Sequence, residues 1–374
     1  MRRYKTYING EWFEGTSGIV LRSVDPSNNK ELGEIVQNSK EDVEYAIESA
    51  SRSFYKTREW RDLDVQQRSD KLLKIADMIE SEIDEIAKTE SMDNGKPLRE
   101  AQADVDDAVH CFRYYAGLIR TPSGQTYNVN SNFGNMHSYT VKEPVGVCAL
   151  ITPWNFPFLM SVWKIAPALA AGNSIIFKPS SETVLSALKL FEILDKCDLP
   201  KGTANLVIGS GSTVGNLLAE SKKVDMITFT GSTSVGQGIM RAAAGNVKKI
   251  GLELGGKSPN IVFADTDIDK TVEWVMMGIF LNQGEVCCAG SRLIIEKSIK
   301  DKFLKKLVER TDKLTLGAPL DNPDMGPLIS KKHMQDVLGY IEKGKAEGAK
   351  LLCGGYKCTD DDLVNGNFIK PAIF

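Results

Sequence analysis

Residues 145–180 read VGVCALITPWNFPFLMSVWKIAPALAAGNSIIFKPS. Two short apolar runs, 145–151 and 174–177, stand at the ends, and the sequence between them is helical in pattern. The theme continues, with further apolar runs at 205–208 and 225–229 separated by helical stretches. Strands alternating with helices signal βαβ units and a parallel sheet. Such sheets bind ligands beyond the carboxyl ends of their strands, where loops lead into helix N-termini. That rule selects Pro153-Trp154-Asn155, Lys178-Pro179-Ser180, Gly209-Ser210-Gly211 and Gly231-Ser232-Thr233 as the places to look.

Upstream, YKTYI and EWF flank Asn9-Gly10, a type I′ hairpin signal. Ser39 caps a helix carrying Val43, Ala46, Ile47, Ala50 and Phe54. Leu72, Leu73, Ala76, Ile79, Ile83 and Ile86 mark a second helix, and a third runs from about Pro97 to Leu118. Residues 121–135 are polar and lack a helical period, while 137–142 alternate like a strand; the segment reads as an excursion from the main domain. After Glu253 the pattern restarts, with strands at 260–263 and 293–296 and helices at 267–281, near 298–313 and near 331–348. The expected division is a cofactor domain from 1–120 and 143–254, an excursion at 121–142, and a second α/β domain from 255 to 374.

The 374 residues suffice for two buried cores. A net charge of −3 gives no electrostatic reason to expect nucleic acid, and KDKFLKK at 300–306 reads as a solvated helix face. No apolar run approaches the roughly 18 residues of a membrane span, and the basic N-terminus has no apolar segment behind it. Seven cysteines without a CxxC pair suggest reduced thiols in a cytoplasm. His110, His137 and His333 lie far apart, so no zinc site is expected.

Gly231-Ser-Thr-Ser-Val-Gly236 follows a strand and opens a helix, where close backbone approach and the helix N-terminus favour a pyrophosphate. A glycine turn between strand and helix would look the same. Gly209–Gly215 misses the GxGxxG spacing by one residue. Cys287, in NQGEVCCAGSR at 282–292, sits in polar, glycine-bearing sequence that favours reactivity over core packing, and so does its neighbour Cys288. Glu253, between Leu252 and Leu254, reads as a desolvated general base or as half of a buried ion pair.

Six segments in order then resemble the aldehyde dehydrogenase superfamily: TPWNFP (152–157), WKIAPALAAGN (163–173), FKPS (177–180), FTGSTSVG (229–236), LELGGKSPN (252–260) and NQGEVCCAGSR. The similarity runs from INGEW to FIKPAIF. It implies a Rossmann-type parallel-sheet cofactor domain, a second α/β catalytic domain and a protruding β-hairpin at 121–142 for oligomerisation. It selects Cys287 over Cys288 as nucleophile, three residues after Gly284, with Glu253 as base. Asn155 and the Cys287 N–H would form the oxyanion hole. Ile151, Thr152, Pro153 and Trp154 would line NAD or NADP, with Lys178 at the adenosine ribose and Gly211 near the adenine. Gly231 and Ser232 would hold the pyrophosphate, with Val235, Gly236 and Leu254 also against the cofactor. Trp163 would line the aldehyde tunnel. Where many relatives place a ribose-binding glutamate stands Ser181, followed by Glu182, which removes a charge that would repel a 2′-phosphate and opens the site to both cofactors. GEVC, Phe156 and Trp163 resemble betaine aldehyde dehydrogenases, in which an aromatic site would suit a quaternary ammonium. Relatives continue past Phe374 into an EEIFGPV-like motif, so the resemblance also implies an incomplete catalytic domain. The expected activity is oxidation of an aldehyde to an acid, by a homodimer or homotetramer when full-length; the alternative is a truncated, inactive remnant that at most binds a dinucleotide. A cysteine hydrolase ranks last, because no histidine accompanies the Cys287 or Glu253 motifs.

Overall fold

The computed structural model describes residues 2–360 and 362–374. The 145–180 stretch forms strands Val147–Ile151 and Ser174–Lys178 joined by helix Pro157–Ala170. They lie inside a seven-stranded sheet ordered Lys249–Leu254, Met226–Gly231, Val147–Ile151, Ser174–Lys178, Ala204–Leu206, Thr6–Ile8, Glu11–Phe13. The first five are parallel; the last two form the N-terminal hairpin and pair antiparallel. Asn9 and Gly10 both take positive φ, as a type I′ turn demands.

Every residue of Val147–Ile151 and Ser174–Lys178 is buried, which is why these strands read as continuous apolar runs. Val147, Ala149 and Ile151 pack on one face with Val43, Ile47 and Ile239. Cys148 and Leu150 pack on the other with Phe158, Ile165 and Phe112. Among the parallel strands the chain order reverses between Val147–Ile151 and Met226–Gly231. This is the switch point, where both flanking helices lead away and leave a crevice.

One expectation about elements needs correction. The single helix expected around Leu72–Ile86 is two, Val65–Ser81 and Ile83–Asn94, broken at Glu82 with φ −112° and ψ 15°. Ile79 and Ile86 are both buried, so the apolar period runs straight through the break. Val20–Asp25 and Lys30–Val36, for which the sequence pattern set no expectation, pair in a separate small sheet with Arg3–Tyr4. The excursion at 121–142 is the expected hairpin, formed by Thr126–Ser131 and Gly134–Tyr139 and almost wholly exposed.

Downstream, Pro259–Val262 and Arg292–Ile295 form a two-stranded parallel sheet. Helices Ile268–Phe280 and Lys300–Thr311 cover one side, enclosing Val262, Val272, Met276, Phe303 and Leu307. Ile261, Ile294, Phe263 and Trp274 are exposed.

Candidate active site

The loops after the two switch-point strands carry Thr152–Asn155 and Gly231-Ser232, so the sequence-derived cofactor residues flank the crevice. Ile151 and Thr152 are buried, while Pro153, Trp154 and Asn155 are half-buried. Ser232 caps helix Thr233–Ala243 by accepting the Val235 N–H. Gly231 has no room for a side chain, since a Cβ would lie 2.5 Å from the Phe229 ring. Gly236 is needed for packing: a Cβ there would come within 2.8 Å of Leu254, whose side chain seats the helix on the edge strand. Lys178 is buried, donates to the Pro179 carbonyl at 2.9 Å, and burial holds it down to about 8. Gly211 is open to solvent and Ser181 is half-buried beside exposed Glu182.

Glu253 departs from expectation. It lies on the edge strand, level with Thr230, and its side chain is exposed. An edge strand leaves one side of its pleat uncovered, so apolar neighbours in sequence did not bring burial. The desolvation argument for Glu253 therefore fails.

Cys287 follows a short turn in which Asn282, Gln283 and Gly284 all take positive φ. Its carbonyl accepts the Gly256 N–H at 3.2 Å, which sets the loop after Glu253 against the cysteine loop. Both Cys287 and Cys288 are exposed. Partial burial and the Cys288 thiol push the Cys287 thiol up, so the protonated form dominates at neutral pH. Asn155 Nδ2 donates to the Glu285 carbonyl at 2.7 Å, and Asn282 Nδ2 donates to the Asn155 carbonyl at 2.7 Å. A groove of about 650 Å³ joins Trp163, Lys164, Glu253 and Cys287 under helix Pro157–Ala170.

Sequence reasoning missed three side chains here. Lys164 is buried, donates to Thr228 Oγ1 at 2.9 Å, and burial holds it down to about 8 against the Glu253 carboxylate. Its signal was a lone cation in the apolar helix face Val162–Ala166. Glu285 is buried within the cysteine loop and faces His333 Nε2 at 3.5 Å. A histidine thus does approach the Cys287 motif, from a helix far along the chain. Finally, Lys96 Nζ sits 4.2 Å from the centre of the Phe156 ring, which occupies the aromatic face that a quaternary ammonium would need. Among the described residues no cluster of three or more His, Cys, Asp or Glu is placed to hold a metal.

Residues 12–374 match the aldehyde dehydrogenase family. A betaine aldehyde dehydrogenase of Bacillus subtilis is 46% identical over 98% of this chain and 75% of its own length. Human mitochondrial aldehyde dehydrogenase is 40% identical over 98% of this chain and 70% of its own. A Staphylococcus aureus betaine aldehyde dehydrogenase, solved with NAD+, superposes with a TM-score of 0.95 at 41% identity, covering 98% of this chain and 73% of that one. The same enzyme has been solved with a BME-modified cysteine. The chain belongs to the aldehyde dehydrogenase family. Its class of chemistry is NAD(P)-dependent oxidation of an aldehyde through a cysteine. It spans about three quarters of the length of these relatives.

Proposed function

We propose that Cys287 is the nucleophile of this oxidation, Glu253 the base for hydrolysis, and Asn155 with the Cys287 N–H the oxyanion hole. The observation that carries the reading is convergence. Glu253 from the edge of the seven-stranded sheet and Cys287 from the second domain line one groove, and Asn155 donates to the Glu285 carbonyl two residues before Cys287.

The cofactor site fits a polar ligand. Thr152 Oγ1 and Thr230 Oγ1, both buried at strand ends, have no hydrogen-bond partner, and the helix opening at Ser232 offers free N–H groups to an anion. Ile151, Thr152, Pro153, Trp154, Lys178, Ser181, Gly211, Gly231, Ser232 and Val235 would hold NAD or NADP. Gly236 and Leu254 support that wall from behind. When bound, NAD(P)+ supplies the hydride acceptor that turns the cysteine adduct into a thioester.

Cys287 Sγ bonds to the aldehyde carbon as the thiol proton leaves to solvent, and the carbonyl pair moves onto oxygen. One Asn155 N–H is engaged by the Glu285 carbonyl, which orients the other toward that oxygen. Pre-aimed donors of this kind contribute about 3 kcal/mol each. Trp163 walls the aldehyde's approach. Exposed Glu253 then takes a proton from water, whose oxygen attacks the thioester carbon and expels the Cys287 thiolate, releasing the acid.

The exposed hairpin, with Phe133 96% accessible at its tip, supports assembly as a homodimer or homotetramer. We place the protein in the cytoplasm, in keeping with its unpaired cysteines; no described helix is long and apolar enough to cross a membrane. The aldehyde is a small molecule, and the likeness to betaine aldehyde dehydrogenases favours one bearing a cation, with Trp163 rather than Phe156 as the aromatic partner.

Mass spectrometry of the E253Q variant, mixed with aldehyde and NAD+, is expected to show an acyl group on Cys287. NADH formation by C287A at the wild-type rate would sink the reading. A second reading, dinucleotide binding without turnover, draws on the uncovered apolar face of Ile261, Phe263 and Trp274. It expects Cys287 to react with iodoacetamide while no aldehyde yields NADH or NADPH.

A further inference from the structure

Glu285 stands two residues before Cys287, and the steps above make no use of its side chain. That side chain is 2% accessible. Oε1 accepts the Ile329 N–H at 3.1 Å and faces His333 Nε2 at 3.5 Å, while Oε2 has no hydrogen-bond partner. His333 packs its ring edge on Trp154 with centroids 5.1 Å apart. On the backbone side, the Glu285 carbonyl accepts Asn155 Nδ2 at 2.7 Å and Asn282 Nδ2 at 3.3 Å. The loop it belongs to is held open against its own preference. Asn282 and Gln283 take φ of 47° and 59°, conformations that persist only where surroundings over-determine them. The Asn282 N–H is tied to Glu100 Oε2 at 2.9 Å.

A buried carboxyl with one oxygen unpartnered is costly, and an apolar side chain would serve packing as well. Its placement points to another purpose. We propose that Glu285 is the positioning residue of the active-site loop, joining the Cys287 turn, the Asn155 amide and the Trp154 wall through Ile329, His333 and its own carbonyl. The inference rests on Cys287 and Asn155 having the roles proposed above.

Burial pushes the Glu285 carboxyl up to about 8, against the Ile329 N–H and the Lys96 ammonium. Burial also holds His333 below the usual imidazole range, with Asp336 and Lys332 acting on it from the same helix. At neutral pH the two side chains therefore share one proton, carried by Glu285, and Glu100 beyond Asn282 is likewise pushed up by burial. Above pH 8 Glu285 ionises and loses the donor it presents to His333.

The test pairs E285A with E285Q, which keeps an acceptor for Ile329 but cannot ionise. Two readouts are needed: kcat and KM for aldehyde oxidation, and the pH profile of iodoacetamide alkylation at Cys287, resolved from Cys288 by peptide mass spectrometry. E285A is expected to lose about a hundredfold in kcat, the cost of a misplacement on the order of 1 Å, with KM changed less than about threefold. E285Q is expected to recover to within about threefold. The wild-type alkylation profile should show an inflection near pH 8, set by Glu285, that E285Q lacks. Should E285A fail to fold, E285Q alone decides through that inflection. Wild-type kcat in E285A, equal losses in both variants, or an inflection that survives in E285Q would each overturn the proposal. If no aldehyde is turned over, the catalytic reading fails while the alkylation profile still decides the place of Glu285.

Discussion

The two sheets bring different things to the same groove. In the seven-stranded sheet the central strands are buried on both faces, between clusters built on Phe112 and Ile165 on one side and Val43 and Ile239 on the other. In the two-stranded sheet only Val262 of Pro259–Val262 is buried, and Arg292–Ile295 alternates exposed with half-buried. The first sheet places Asn155 by core packing. The second places Cys287 by loop hydrogen bonds, chiefly Gly256 N–H to the Cys287 carbonyl and the contacts around Asn282 and Glu285. The proposed active site thus depends on a rigid platform and on a locally pinned turn.

The largest effects come from removing the reacting atoms on either side. C287A is expected to abolish acid formation, since Cys148, the other thiol lining the groove, is buried and burial pushes it up to about 12. N155A is expected to lower kcat about 10²- to 10³-fold, the usual cost of one oxyanion donor. Steady-state rates with NAD+ check both, and an N155A loss below about threefold would remove Asn155 from the chemistry.

Stability should divide the two regions next. F177A removes a ring that is fully buried in the seven-stranded sheet and should cost about 3–5 kcal/mol. I294A removes a side chain that is 54% exposed on the two-stranded sheet and should stay within about 0.5 kcal/mol. Urea denaturation measures both, and equal losses would show that the second sheet is covered in solution.

Titration offers a subtler separation. Burial pushes Asp93, on helix Ile83–Asn94 where it accepts from Ser23 and Leu185, up to about 7 from 3.8, and Glu285, in the pinned turn, up to about 8 from 4.5. For each, the folded state holds its proton more tightly than the unfolded state, so stability is full below the unfolded value. It falls as pH rises, with the loss complete once the folded value is passed. The wild type should therefore lose stability relative to E285Q between about pH 4.5 and 8, and relative to D93N between about pH 3.8 and 7. Denaturation midpoints across pH 4–9 test this, and flat differences would refute the burial of these carboxyls.

The platform was legible in the sequence because its central strands are short, largely apolar and spaced by helices. The residues at their ends, Thr152–Asn155 and Gly231-Ser232, followed from topology. What stayed hidden was long-range pairing. Nothing near Glu285 in sequence announces His333, and nothing in the run Leu72–Ile86 announces a break at Glu82, because Ile79 and Ile86 keep one apolar period across it. Glu253 misled for a related reason: its leucine neighbours signal a strand, but only the sheet order reveals that the strand is at the edge.

The smallest expected effect concerns cofactor choice, and it lies wholly on the platform. Lys178 ends a buried strand, and three residues on Ser181 is half-buried and uncharged, while the Glu182 side chain is exposed. A carboxylate at 181 would repel a 2′-phosphate; a hydroxyl does not, and Glu182 points its charge from a neighbouring backbone position whose N–H is already tied to Ser180 Oγ at 3.2 Å. Initial rates with NAD+ and NADP+ should therefore agree within about tenfold, and S181E should lower the NADP+ rate selectively by about the same factor, leaving NAD+ little changed. Because no hydrogen bond joins Ser181 to the pinned turn among the described residues, the alkylation rate of Cys287 should be the same in S181E as in the wild type. A shift in that rate would mean that the platform and the turn are coupled more tightly than their separate cores imply.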